Sequence, residues 1–239
     1  MAQESLEGLN VAILVTDGFE QVELTEPRTA LDEAGAKTQI ISPKNEHVRA
    51  WKFTDWGIEL PVDVKLNDAQ PEDFDALLLP GGVINPDTLR IEPKAVSFVK
   101  AFFDAGKPVA AICHGPWTVI EAGAARGRRI TSWPSRKTDL KNAGADWVDQ
   151  QVVVDKGLVT SRSPDDIPAF NPEVIRLFAG AWKAARSLSF DRQGTFGWSG
   201  GASAQRQWRY RLSGRVPGIS TRLTVALLWP PCDGGLISA

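Results

Sequence analysis

The chain has 239 residues, which suits one α/β domain or one domain with an appendage. Its 43% hydrophobic and 23% charged residues are ordinary for a globular protein, and its net charge of -2 gives no reason to expect nucleic acid or an anionic membrane as a partner. Two cysteines, no long apolar run and no signal peptide at the N-terminus predict a cytoplasmic protein.

The chain then alternates between apolar strands and helices. Near-continuous apolar runs predict buried strands over residues 10–16, 38–42, 75–79 and 108–112. Helical patterns follow over 20–34, 92–105, 116–122 and 164–178, although Pro27 predicts either a start near Glu26 or a kink. A small β excursion is expected over 43–66, with short strands near 129–131, 151–154 and 158–160. This alternation predicts a doubly wound, mostly parallel sheet between two layers of helices.

The pattern dissolves after about Trp182. Residues 183–239 have a net charge of +6, whereas the preceding residues have -8, and the tail's glycine, arginine and serine follow no helical or strand period. We therefore divide the chain into a domain over 8–182 and a basic tail over 183–239. One interpretation of the tail is disorder. The other is out-of-frame translation, because Trp198, Trp208 and Trp229 are unusual in a disordered segment; removing the tail should then preserve folding and activity.

Three turns lie at the carboxyl ends of predicted strands: Thr16–Glu20, Pro80–Gly82 and Cys113–Gly115. Ligands of open parallel sheets bind outside these ends, where the strand order reverses. The three turns should therefore converge on one site. No Cys-x-x-Cys or paired-histidine spacing predicts a metal there, and no phosphate-binding loop follows the first strand, so we expect no cofactor.

Cys113 is the candidate nucleophile at this site. The unpaired N–H groups and partial positive charge of the next helix start favour a thiolate, although a buried structural cysteine is the alternative. His114 is a candidate acid or base, but neighbours in a tight turn often point apart, so it could instead bond to an orienting carboxylate.

Other residues have candidate roles beside the thiol. The backbone N–H groups at Gly81, Gly82 and Gly115 could bind substrate or an oxyanion, or these glycines could merely serve the turns. Glu20 is either a buried carboxyl with a raised pKa or a solvated acid at a helix start. We expect Glu23 and Glu26 to face solvent.

The stretches 11–24, 77–82 and 110–116 resemble the PfpI family of intracellular cysteine peptidases and protein deglycases, of the class I glutamine-amidotransferase-like superfamily. Residues 126–129, 142–148 and 152–155 extend the resemblance, which spans about residues 8–180. It implies a flavodoxin-like sandwich with Cys113 on a nucleophile elbow, His114 as its partner and Glu20 as the buried carboxyl beside sulfur.

The resemblance also implies partners. Family members form dimers and some form hexameric rings, and in peptidase-like members an acid from a neighbouring subunit completes a Cys-His-acid triad. Asp87 matches that position, where some members have Glu, although Asp87 could also cap the next short helix. We therefore expect a homo-oligomer that acts on a peptide, a small carbonyl compound or a glycated protein, without nucleic acid or membrane partners.

Two function hypotheses follow. The first is a thiol hydrolase in which Cys113 attacks a carbonyl of a peptide, of an α-oxoaldehyde such as methylglyoxal or glyoxal, or of its early adduct on protein amines; the sequence does not separate these substrates. The second is a redox or stress sensor that uses an oxidisable Cys113. An amidotransferase glutaminase is disfavoured, because that mechanism needs a histidine far downstream of the nucleophile and none follows His114.

Overall fold

A computed structural model of the chain describes the backbone of residues 4–193 and the side chains of residues 4–184. The elements of the first half are β1 (Asn10–Leu14), β2 (Phe19–Glu20), α1 (Gln21–Glu33), β3 (Lys37–Ser42), β4 (His47–Lys52), β5 (Asp55–Pro61), β6 (Val64–Lys65), β7 (Ala76–Leu79) and α2 (Ile84–Arg90). Those of the second half are α3 (Pro93–Asp104), β8 (Val109–Ile112), α4 (Pro116–Glu121), β9 (Arg129–Ile130), α5 (Lys137–Asn142), β10 (Asp146–Trp147), β11 (Val152–Asp155), β12 (Leu158–Ser161) and α6 (Ile167–Gln193).

The central sheet has seven strands in the order β11-β12-β8-β7-β1-β3-β6. All neighbouring pairs are parallel except β11 with β12. The chain winds outward from β1 to β3 and β6, and later from β7 to β8 and β12, so the strand order reverses between β1 and β7. This arrangement confirms the predicted doubly wound, mostly parallel sheet, and ligands of such sheets bind at the reversal.

Two apolar layers cover the faces of the sheet. One face packs against α1 and α6 through Leu24, Leu31, Phe170 and Phe178. The other packs against α3, α4 and α5 through the fully or almost fully buried Phe98, Phe102, Val119 and Leu140. Burying each such side chain contributes roughly 1.5–3 kcal/mol, so the strand ends are held by a rigid scaffold.

A smaller sheet joins β2, β4 and β5. It pairs Phe19 with Ala50 and Glu20 with Trp51, which brings the β4–β5 hairpin over the carboxyl end of β1. The predicted β excursion over 43–66 is thus confirmed, but it is part of the site's surroundings.

Several boundaries differ from the sequence prediction. Helix α1 begins at Gln21 and contains Pro27, so the alternative start near Glu26 is wrong. The prediction contained no helix over 137–142, where α5 lies. The irregular tail was predicted to begin at residue 183, but α6 continues to Gln193. The remaining tail, residues 194–239, lies outside the described residues, and its interpretation as disordered or out of frame stays a prediction. No helix within residues 4–193 is both long and apolar enough to cross a bilayer.

Candidate active site

Cys113 occupies a strained turn between β8 and α4. Its φ of 61° lies in the left-handed region, which is costly for a residue with a side chain. Backbone bonds on both sides hold the turn: the Cys113 amide donates to the Ser161 carbonyl at 3.0 Å, and its carbonyl accepts from the Trp133 amide at 3.0 Å. The surrounding strands therefore fix the sulfur at the sheet edge, in agreement with the predicted nucleophile elbow.

The carboxyl group beside this sulfur belongs to Glu23, in the first turn of α1. Glu23 is completely buried, its Oε2 accepts a 3.0 Å bond from the Gly81 amide, and its Oε1 has no hydrogen-bond partner among the described residues. Its carboxyl lies beside the Cys113 side chain, since both pack against Gly81. The prediction that Glu23 faces solvent is wrong. Side chains of a helix tilt toward its N-terminus, so Glu23 reaches back over the helix start to the ends of β7 and β8.

Burial, together with the charge of the nearby Glu20, raises the pKa of Glu23 to about 8. Its carboxyl is therefore mostly protonated at pH 7. A neutral carboxyl in this position can donate a hydrogen bond to sulfur. This is the role that the resemblance implies for Glu20.

The pKa of the Cys113 thiol is raised, first by burial and then by the charge that Glu23 carries when it is ionised. The backbone amides of His114 and Gly82 act in the opposite direction, because they donate to the sulfur. The expected low-pKa thiolate is thus not the resting form. When Glu23 is protonated, its negative charge no longer opposes ionisation of the Cys113 thiol. The Glu23 carboxyl and the backbone amides of His114 and Gly82 can then donate to a developing thiolate.

Glu20 lies close by but in a different role. It is 8% exposed and ends β2, where Oε2 accepts a 3.4 Å bond from the Phe53 amide and Oε1 has no partner. Burial raises the pKa of Glu20. Glu20 is thus buried with a raised pKa, as one of the two alternatives held, but the carboxyl beside the Cys113 sulfur is that of Glu23.

His114 forms a direct pair with Cys113. Its Nδ1 lies 3.2 Å from the Cys113 sulfur, so of the two alternatives the structure has the direct pair that the resemblance implies. The ring is stacked on Trp133 and contacts Trp117 edge-on. Burial and the positive charge of Arg136 lower the pKa of His114 to about 4, so the imidazole is neutral at pH 7. In a neutral imidazole one ring nitrogen carries the proton and donates a hydrogen bond, while the other nitrogen accepts one.

Asp87 is not part of this pair within one chain. It is exposed in the first turn of α2, where no side-chain cap is formed, and it does not line the cavity described below. Among the described residues, no carboxylate hydrogen-bonds to His114. A contribution of Asp87 from a neighbouring subunit remains a prediction.

The glycine turn after β7 approaches the site so closely that side chains are excluded. A Cβ at Gly81 would lie 2.4 Å from the Glu23 carboxyl and 2.7 Å from the Cys113 Cβ, and Gly82 has a φ of 77°. The fully buried Asn85 anchors this turn by donating to the carbonyls of Pro80 and Gly81.

Only some of the predicted N–H groups are available for an oxyanion. The Gly81 amide is bonded to Glu23, and the Gly115 amide is bonded to the Ile112 carbonyl at 2.8 Å. The Gly82 and His114 amides face the sulfur. Sequence analysis missed Asn85, although a polar residue soon after a Gly-Gly turn is a usable signal.

A cavity of about 580 Å³ opens onto these groups. Its walls include aromatic side chains from the hairpin and from the segment after β9, which are Trp51, Phe53 and Trp133. Charged side chains also line the cavity. Glu20 and the exposed Asp165 are acidic, and Arg136 is basic. None of these aromatic residues was predicted from the sequence.

Arg136 was also missed. Its guanidinium lies 3.7 Å from the centre of the Trp117 ring and bonds to Asp139 at 3.0 Å, and Trp117 donates to the same carboxylate at 2.9 Å. The pKa of Asp139 is lowered by the bond from Trp117 and by Arg136. This network fixes a positive charge beside His114, which keeps the ring neutral. The Trp-Pro-Ser-Arg sequence after a short strand was the available signal.

Comparisons with known proteins show the family of the chain. Residues 9–177 match the model of the DJ-1/PfpI family. General stress protein 18 of Bacillus subtilis is 47% identical over 171 residues, which cover 71% of this chain and 98% of that protein. Protein/nucleic acid deglycase 2 of Escherichia coli is 45% identical over 168 residues, 70% of this chain and 96% of the relative. A second Bacillus subtilis protein, named "Putative cysteine protease YraA", is 43% identical over 167 residues, 70% and 96%.

Solved structures share the fold. The crystal structure of Drosophila melanogaster DJ-1beta superposes with a TM-score of 0.65 at 27% identity, covering 76% of this chain and 98% of that one.

Proposed function

Because the chain belongs to the DJ-1/PfpI family, we propose that it is a cysteine-dependent hydrolase that removes α-oxoaldehyde adducts from protein amines. The observation that carries the proposal is the thiol of Cys113, held in a strained turn between the Glu23 carboxyl and the His114 imidazole at the floor of a cavity. The relatives' names extend this interpretation: one is a deglycase, and another is a stress protein.

The acid–base balance of the site favours a reactive carbonyl substrate over a peptide bond. The thiol has a raised pKa and the imidazole a low one, so transfer of the thiol proton to His114 is uphill. A weakly activated sulfur suits a carbon at the oxidation level of an aldehyde, as in an α-oxoaldehyde or its early amine adduct, better than the resonance-stabilised carbon of an amide. Hydrolysis of a peptide bond would also benefit from an acid that orients His114, which is not present among the described residues of one chain.

The proposed reaction balances without an external oxidant. In the early adduct of methylglyoxal, the amine nitrogen is bonded to a carbon that carries a hydroxyl group. The Cys113 sulfur forms a bond to this carbon, the C–N bond breaks, and the thiol proton leaves with the free amine. The hydrogen of that carbon then moves as a proton to the neighbouring carbonyl carbon through an enediol, which leaves a thioester on Cys113.

Water hydrolyses the thioester to lactate and regenerates the thiol. The carbon bonded to sulfur is oxidised while its neighbour is reduced, so electrons balance within the substrate. We assign the oxyanion of the thioester's hydrolysis to the amides of Gly82 and His114, because these two face the sulfur. The neutral Glu23 carboxyl stabilises the sulfur anion each time it forms.

The experiment compares intact protein with Cys113→Ser on three substrates: free methylglyoxal, a methylglyoxal-treated lysine peptide and casein. We expect lactate and free amine from the peptide with the intact protein, and no product with the serine variant. Casein cleavage that depends on Cys113, without lactate release from the other substrates, would replace the proposed reaction with proteolysis. Undiminished lactate release by Cys113→Ser would refute the nucleophile.

A further inference from the structure

Glu20 has an unsatisfied carboxyl oxygen at the wall of the cavity. Its side chain lines the cavity together with Cys113, yet its Oε1 is shielded from bulk water and has no hydrogen-bond partner. A buried acceptor without a partner is costly, and such exceptions in folded proteins call for an explanation. The neighbouring Oε2 is occupied by the Phe53 amide.

The immediate surroundings of Glu20 suit a donor on an alkyl chain. Trp51 and Phe53, from the paired hairpin, line the cavity beside it, and aromatic faces attract cations and pack against methylene groups. The backbone turn at Phe53 has a φ of 55°, so a bond to Glu20 holds a strained turn in place. The terminal torsion of a carboxyl is broad, so a small rotation can present either oxygen to the cavity.

The charges of the cavity are arranged unevenly. Glu20 is the last residue of β2, which comes after β1, and β1 lies on one side of the Cys113 strand in the sheet order. Arg136 comes after β9, which pairs with β10 outside the central sheet. Arg136 is already bonded to Asp139, and its charge acts on His114. A substrate with a nitrogen donor therefore finds its complementary acceptor on the Glu20 side, and Arg136 is the one lysine or arginine among the described residues that line the cavity.

From these contacts we infer that Glu20 is a specificity-determining residue, whose carboxyl accepts a hydrogen bond from the nitrogen that carries the adduct. This inference rests on the proposed function and names its substrate class: adducts on lysine and arginine side chains, in preference to adducts on thiols. A sulfur at the same place has no hydrogen to donate, so it leaves Oε1 unsatisfied.

The test uses Glu20→Gln and two substrates, the methylglyoxal adducts of Nα-acetyl-lysine and of N-acetylcysteine. Glutamine keeps an oxygen that can accept from the Phe53 amide, so the hairpin contact is retained, while the negative charge is removed. The matched control is Glu26→Gln, which changes an exposed acid of α1, the helix that follows Glu20, and this acid does not line the cavity. Thermal unfolding of both variants checks that the fold is intact.

We expect Glu20→Gln to lower kcat/KM for the lysine adduct about tenfold more than kcat/KM for the cysteine adduct, mainly through KM. Glu26→Gln should leave the ratio of the two values at that of the wild type. An equal loss on both adducts in Glu20→Gln would show that Glu20 only supports the hairpin, and would overturn the inference.

A binding measurement separates this inference from the proposed function. Calorimetry on Cys113→Ser compares Nα-acetyl-lysine with Nα-acetyl-norleucine, which lacks the amine. Tighter binding of the lysine derivative, lost in the double variant with Glu20→Gln, supports the assignment even if no adduct is turned over. Equal binding of both amino acids, with normal lactate release by the wild type, would overturn the assignment and leave the proposed function standing.

Discussion

The carboxyl group of Glu23 lies beside the side chain of Cys113 at the Gly81 turn and is completely removed from solvent. The same carboxyl accepts the Gly81 amide at 3.0 Å, so one side chain joins α1, the glycine turn after β7 and the elbow after β8. Because its pKa is raised to about 8, Glu23 can supply a proton to sulfur at neutral pH, and the chemistry of the thiol depends on its protonation.

Replacing Glu23 with Gln should change the pH dependence of stability. Below pH 4.5 the carboxyl is protonated in both states. Between 4.5 and about 8 the unfolded chain releases the proton while the folded protein keeps it, so the free energy of unfolding falls as pH rises. The slope from this group approaches about 1.4 kcal/mol per pH unit.

Urea titrations from pH 5 to 8 measure this slope. Glu23→Gln should lose it, whereas Glu26→Gln, at an exposed position of the same helix, should keep it. Equal slopes in the wild type and Glu23→Gln would mean that Glu23 is not protonated in the folded protein.

His114 should titrate far below a normal histidine. Burial and Arg136 lower its pKa from 6.5 to about 4, so the unfolded chain binds a proton between these values while the folded protein does not. The stability that the neutral ring contributes is present above pH 6.5 and is lost as pH falls toward 4.

Nuclear magnetic resonance of the imidazole protons follows this titration directly, because the chain has two histidines. His114→Gln and His47→Gln assign the signals to the buried and the exposed ring. We expect a midpoint near 4 for His114. A midpoint at or above 6.5 would contradict a buried neutral partner for Cys113.

Gly82→Ala should destabilise the protein and abolish activity. An alanine Cβ would lie 2.3 Å from the Gly18 carbonyl and 2.7 Å from the Glu20 amide, both backbone atoms that cannot give way. We expect a loss of at least about 2 kcal/mol, from the left-handed backbone and the clash together.

The matched control is Gly123→Ala, since Gly123 also has a positive φ, 71°, but has open space where the Cβ would be. Gly123→Ala should lower the free energy of unfolding only by the cost of a left-handed backbone, about 1 kcal/mol. Denaturant unfolding compares the two; similar losses would show that close packing at Gly82 contributes little.

Much of the fold was predictable because its signals are local. Continuous apolar runs over β1, β7 and β8 indicate strands buried on both faces, and alternation with helices indicates a parallel sheet. The end of α6 was not predictable in the same way, because residues 183–193 have no regular apolar period.

The site was predictable only in part. The turns at Gly82 and Cys113 lie at strand ends, so their convergence follows from topology alone. The choice between Glu20 and Glu23 depends on where α1 begins and on the backward tilt of its side chains. A shift of three residues at the start of a helix moves a carboxyl from one wall of the cavity to another. The hairpin residues Trp51 and Phe53 reach the cavity through a β2–β4 pairing that no local pattern announces.

The central claim is that Cys113 forms a covalent bond with the substrate, and the most direct measurement is mass spectrometry of the enzyme quenched with acid during turnover. We predict that the peptide containing Cys113 carries the mass of one methylglyoxal unit while lactate is being released. If lactate is released steadily while neither the Cys113 peptide nor any other peptide is modified, the account is contradicted.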